Sequence, residues 1–174
     1  MNIKAMKRLS VEASPKKRGS NLTIAISNRQ RARKIGLRLL EKITAAALEE
    51  LNIARADLGI VLMGTKEMAS LNEKFLGHEG PTDVITFDYQ NPEVRIRNPE
   101  TEIHGEIFVC VKEAERQAKE FGTSRQSELV RYVVHGILHL TGQDDVKPAA
   151  RKKMKRAEGR VLGKLSRHFT LSKL

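Results

Sequence analysis

"EIFVCVKEAERQAKEFGTSRQSELVRYVVHGILHLTG", Glu106–Gly142, changes its period partway along. Its first six residues are mostly apolar, with β-branched and aromatic side chains, as in a buried strand. Beyond them Ala114, Ala118 and Phe121 recur at helical spacing until Gly122. Leu129, Val133, Ile137 and Leu140 then form a second helical stripe, which Gly142 is placed to end. Thr123 and Gln126 stand at capping-box spacing at the start of that second helix. Strand signals therefore stop near Val111, and the chain beyond it is helical.

Upstream the pattern alternates. Leu22, Ile24 and Ile26 in "NLTIAIS" have the period of a half-buried strand. From about Gln30 a helix is expected, with Leu40, Ile43, Ala47 and Leu51 on one stripe. "LGIVLM" reads as a short buried strand. Thr65 can cap a helix that buries Met68, Leu71 and Phe75 and stops at Gly77. "TDVITF" is a further strand, and "DYQNPEVRIRNPE" a proline-bearing loop with room for an edge strand at "VRI". Downstream of Gly142, Pro148 opens a last helix with Met154, Val161 and Leu165 inward. The order β-α-β-α-β-β-α-α-α predicts a single α+β domain, a small mixed sheet packed with helices. Its expected bounds are 21–168, after a basic, disordered extension over 1–20 and before a C-terminal tail over 169–174.

The chain has 174 residues, enough for one domain with a substantial core. Its single cysteine, Cys110, sits in an apolar run, which excludes a disulfide framework and fits a reducing compartment. No run approaches the roughly 20 apolar residues of a membrane span. The N-terminus lacks the apolar core of a secretory signal, so a cytoplasmic location is expected. Lys and Arg number 32 against 21 Asp and Glu, a net charge of +11. The excess is clustered in "PKKR" (Pro15–Arg18), "RQRARK" (Arg29–Lys34) and "RKKMKR" (Arg151–Arg156), patches suited to a polyanion such as nucleic acid.

The chemistry concentrates in "HGILHLTGQDD", His135–Asp145. His135 and His139, four apart on a helix, project from one face about 5–6 Å apart at Cβ, a spacing that suits two imidazoles on one ion. Gly142 can take a positive φ and turn the chain back, which would swing Asp145 toward the two rings. Each element also has a plainer use. Histidines at this spacing occur on ordinary helices, glycine ends helices generally, and Asp144 or Asp145 could cap the final helix. Their coincidence at H-x-x-x-H-x-x-G-x-x-D spacing favours a metal site. Gly136 stands where H-E-x-x-H peptidases carry their glutamate base, which argues against peptide hydrolysis. His78, His104 and Asp83 read as turn or surface residues, and Cys110, Met68 and Met154 as core.

This stretch resembles the signature of the YbeY endoribonucleases, usually H-G-x-L-H-L-x-G-x-D-H. "LNEKFLGHEGPTDVITF" (Leu71–Phe87) is similar to that family's L-N-x-x-[YF]-R…T-D-V-L-S-F block. "HGEIFVC" (His104–Cys110) is similar to its G-[DE]-I strand, and Met154 with Glu158 to the M-x-x-x-E of its last helix. The resemblance implies one Zn²⁺ held by His135, His139 and Asp145. It implies single-strand-specific cleavage of RNA in 3′-end maturation of small-subunit ribosomal RNA and in ribosome quality control. Ribosomal RNA and the small ribosomal subunit would be the partners of the basic clusters. No side chain is identified as general base, and the ion would either supply hydroxide from a bound water or polarise the phosphodiester while the RNA's own 2′-hydroxyl attacks.

Two residues depart from that pattern. Asp145 stands where histidine is usual, which lowers the net charge of the complex by one and should make bound water less acidic. Leu76 stands where an arginine, a candidate phosphate contact, is common. These departures support a rival reading, a non-catalytic ribosome-assembly factor with a degenerate metal site.

Overall fold

A computed structural model describes residues 21–90 and 101–174. Four strands form one sheet: β1 (Asn21–Asn28), β2 (Arg55–Met63), β3 (Val84–Asp88) and β4 (Glu102–Cys110), in the order β1-β2-β4-β3. β1 and β4 flank β2 in parallel, with Ile24 opposite Leu58 and Ile60 opposite Ile107. β3 runs antiparallel to β4, with Ile85 opposite Phe108, so the sheet is mixed as expected.

Among the described residues there are five α-helices: α1 (Leu37–Glu50), α2 (Thr65–Leu76), α3 (Val111–Phe121), α4 (Arg125–Leu140) and α5 (Pro148–His168). Alternate residues of a strand face opposite sides, and here each side has its own core. Leu58, Ile60, Leu62, Ile103, Ile107 and Val109 pack with apolar residues of α1, α4 and α5. Val61, Met63, Ile85 and Cys110 pack with Met68 of α2. Ten of the sixteen residues of α4 are buried, which makes it the interior helix. It lies so close to β4 that a Cβ on Gly136 would fall 2.7 Å from Ile107 Cγ2.

Several boundaries differ from the sequence reading for local reasons. α1 starts at Leu37, not near Gln30. The Gln30 side chain instead closes a loop, donating to Asn28 and to the Arg33 carbonyl and accepting from Arg33 N–H. Ser124, not Thr123, caps α4: its Oγ accepts from Ser127 N–H at 3.1 Å. The Thr123 hydroxyl donates to Glu128 at 2.6 Å. α2 begins at Thr65 itself, with Gly64 before it and no side-chain cap. Residues 169–174, expected to form a tail, include a 3₁₀ turn at Leu171–Lys173. Leu174 is buried beside α1, and its carbonyl accepts from Gly36 N–H at 3.0 Å. The extension over 1–20 and the "VRI" segment lie outside the described residues. Among the described residues no helix is long and apolar enough to cross a membrane.

Candidate metal centre

The last two turns of α4 carry the site. His135 and His139 meet nearly perpendicular, with ring centroids 4.6 Å apart and Nε2 atoms 3.0 Å apart. Each Nδ1 is tied away from that meeting point. His139 Nδ1 lies 3.0 Å from the Gln143 carbonyl, which can only accept, so this nitrogen carries the hydrogen. His135 Nδ1 lies 3.1 Å from a Glu158 carboxylate oxygen, which fixes the same tautomer. Two Nε2 lone pairs then face each other across 3.0 Å, and only a positive charge between them, a proton or a metal ion, relieves their repulsion.

The turn after α4 brings the third donor. Gly142 has φ 85°, and Gly142 N–H and Gln143 N–H donate to the His139 and Leu138 carbonyls at 2.8 and 3.1 Å. These are the two hydrogen bonds of a Schellman turn. The reversed chain sets Asp145 carboxylate oxygens 3.8 Å from His135 Nε2 and 4.0 Å from His139 Nε2. Those distances are too long for hydrogen bonds. The three donor atoms lie within 4.8 Å of one another and can converge on one ion. Asp144 is used otherwise: its Oδ1 accepts from Val146 N–H at 3.0 Å. Neither acid caps α5, whose N-cap position is Lys147.

Around the histidines runs a chain of buried charge. Arg131 joins Glu158 at 2.8 Å and Glu128 at 3.1 Å. Burial alone would lower the His135 pKa, but the hydrogen bond and charge of Glu158, with Asp145 and Asp83, raise it above the ordinary histidine value. Burial and the neighbouring His135 hold His139 below it. Burial favours neutral Glu158, yet His135 and Arg131 keep its carboxyl below the usual carboxylate range. The donor set fits zinc: two imidazoles oriented through their second nitrogens, plus a carboxylate. No fourth His, Cys, Asp or Glu joins the group among the described residues, which leaves coordination open as in catalytic sites.

Glu158, Arg131, Glu128 and the Gln143 carbonyl escaped the site reading of the sequence. A signal existed for Glu158, a lone acid on the inward stripe Met154–Glu158–Val161–Leu165. Of the other candidates only Asp83 comes near the site, lining a cavity whose wall includes His135. His78 is exposed in a loop, and His104 lies 3.8 Å from Asp57 at the surface. Asp83 Oδ1 accepts from Val84 N–H and the Thr82 hydroxyl. Cys110 is fully buried, and burial pushes its thiol pKa up, as for an inert core cysteine.

Residues 24–166 match the family model for endoribonuclease YbeY. An endoribonuclease YbeY of Elusimicrobium minutum is 35% identical over 121 residues, 70% of this chain and 82% of the relative. One of Pelotomaculum thermopropionicum is 34% identical over 149 residues, 83% and 98% of the two chains. The solution structure of a Thermotoga maritima protein superposes with a TM-score of 0.57 at 29% identity, covering 84% of this chain and 93% of that one.

Proposed function

The chain belongs to the YbeY endoribonuclease family, and from that premise we propose that it is a cytoplasmic, zinc-dependent endoribonuclease. Its substrate is single-stranded RNA of the small ribosomal subunit, cut in 3′-end maturation and in ribosome quality control. The observation that carries this reading is the convergence of His135, His139 and Asp145, with both histidine Nδ1 atoms held away from the meeting point. When bound, zinc would supply Lewis-acid polarisation to a phosphodiester or a water.

The protein's own groups orient and charge the site. Glu158 and the Gln143 carbonyl aim the two imidazoles, and Arg131 keeps Glu158 ionised. Lys155 stands on α5 beside Glu158 and His135, where a phosphate would meet a cation. Peptide hydrolysis remains disfavoured, because Gly136 faces Ile107 and has no room for a glutamate. One observation favours the non-catalytic assembly factor: Leu76 leaves an apolar, 53% exposed side chain where the family pattern commonly has arginine.

Elemental mass spectrometry should find close to one zinc per chain, with a clear loss in Asp145→Ala. Single-stranded RNA should be cut by the zinc-loaded protein and not by a folded His135→Ala variant. Zinc-loaded wild type that binds RNA without cutting it would favour the assembly factor. Cleavage that survives in His135→Ala would sink the metal reading.

A further inference from the structure

Beside the metal centre lies a cavity of about 390 Å³ between α3, α4 and α5, and His135 forms part of its wall. That volume is within the ~300–1,000 Å³ of small-molecule sites. Much of its polar lining is already matched. Glu128 accepts from Thr123 and pairs with Arg131, Arg131 pairs with Glu158, and Glu158 holds His135. Two groups are not. Tyr132 is 2% exposed, and its hydroxyl has no hydrogen-bond partner among the described residues. Buried polar groups are rarely left so. Asp83 uses Oδ1 for Val84 and Thr82, which leaves Oδ2 as an acceptor. Tyr132 and Asp83 both line this cavity.

The rim has a different character. Phe121 ends α3 with its side chain 64% exposed, although only 4% of this chain is aromatic. An aromatic face beside a polar-floored cavity is the arrangement on which single-stranded nucleic acids stack an unpaired base. Lys155, at the same rim and on the cationic side of α5, pairs with no carboxylate among the described residues.

We infer that this cavity is a base-recognition subsite that takes the nucleotide next to the cleaved phosphodiester, stacking its base on Phe121 and reading its polar edge with Tyr132 and Asp83. The inference rests on the ribonuclease reading for the identity of its ligand. A carboxylate oxygen accepts and does not donate, so the subsite favours a base with an exocyclic amino group, such as cytosine, over uracil. Lys155 contacts the phosphate of the bound nucleotide.

The test is a titration of the full chain, with chelator present, by cytidine and uridine 5′-monophosphates, followed by NMR shifts. Cytidine monophosphate should perturb the Phe121 and Tyr132 rings and bind more tightly than uridine monophosphate. Phe121→Ala should weaken it by about tenfold, as for loss of one stacked base. Tyr132→Phe, which keeps the packing and removes only the hydroxyl, should weaken it by roughly three- to tenfold. No perturbation of these rings, or equal binding in both variants, overturns the subsite. Because binding is read without metal or turnover, the two readings separate. Nucleotide bound here by a protein that cuts no RNA keeps the subsite and loses the nuclease. RNA cleavage whose rate and base preference are unchanged in Phe121→Ala and Tyr132→Phe keeps the nuclease and loses the subsite.

Discussion

α4 and α5 both reach the candidate metal centre, and they are built in opposite ways. α4 buries ten of sixteen residues, among them Glu128 and Gly136. α5 buries four of twenty-one, and the rest of it is dominated by lysine and arginine. The packed helix sets where the two imidazoles stand, since its register is held by the sheet on one side and α1 and α5 on the other. The solvated helix contributes one buried acid, Glu158, and otherwise a field of positive charge. Position and charge are thus supplied by different elements. Changes in α4 should act through the fold, and changes in α5 through the ligands.

The most severe way to break this contrast is at Gly136. Even a methyl group there would meet Ile107 Cγ2 at 2.7 Å and Cδ1 at 2.9 Å. Gly136→Leu should cost about 3 kcal/mol or more, the upper range for overpacking a filled core, read as a lowered denaturant midpoint. Gly136→Ala should be milder, because added helix propensity offsets part of the clash, and Ile107→Val should partly rescue it. A Gly136→Leu protein as stable as wild type would mean that α4 is not held against β4.

Next in size is Glu158→Gln, which keeps an acceptor for His135 Nδ1 and removes the charge. Groups that orient metal-bound histidines typically contribute about ten- to hundredfold in affinity, and that loss is expected in a competitive zinc titration. The fold should survive, since Arg131 keeps Glu128 as a partner. Unchanged zinc affinity would reduce α5 to a packing and charge element. Gly142→Ala comes third. It places a side chain at φ 85°, which costs about 1 kcal/mol. It should also weaken zinc binding, because Asp145 depends on that reversal.

Much of this contrast was legible in the sequence, because periodicity reports burial directly. The stripe Met154, Val161 and Leu165 faces inward as spaced. Gly142 ends α4 where the apolar pattern stops and turns Asp145 back. The less legible features have particular causes. Thr123 and Ser124 are adjacent hydroxyls with the same capping chemistry, and only the fold decides that Ser124 caps while Thr123 serves Glu128. The start of α1 was displaced because Gln30 uses its side chain to mimic backbone pairing, which leaves no periodic trace. Tyr132 reads as one more apolar position on α4. Its unpaired hydroxyl exists only because α3 and α5 fold around it.

The smallest expected effect on stability is on the outer face of α5. Lys152, Lys153, Arg156 and Arg160 line a cavity of about 760 Å³ that runs past the Gly142 turn to the end of α1. Lys152 and Arg156 also border Lys155, so positive charge continues around the helix to the side that faces His135. None of these side chains belongs to the buried core. Replacing Lys152, Arg156 and Arg160 with glutamine should therefore move stability by less than about 0.5 kcal/mol. The measurable consequence lies in RNA binding. For a single strand, each phosphate that the variant no longer neutralises should flatten the dependence of log affinity on log salt by about 0.7. Because phosphate contacts carry no sequence information, affinity should fall evenly across RNA sequences. A flattened slope with unchanged base preference would assign α5 the backbone of the strand and leave base recognition to the cavity beside His135. A slope equal to that of wild type would take the RNA path off this face, and the charge of α5 would then act only on its own buried acid.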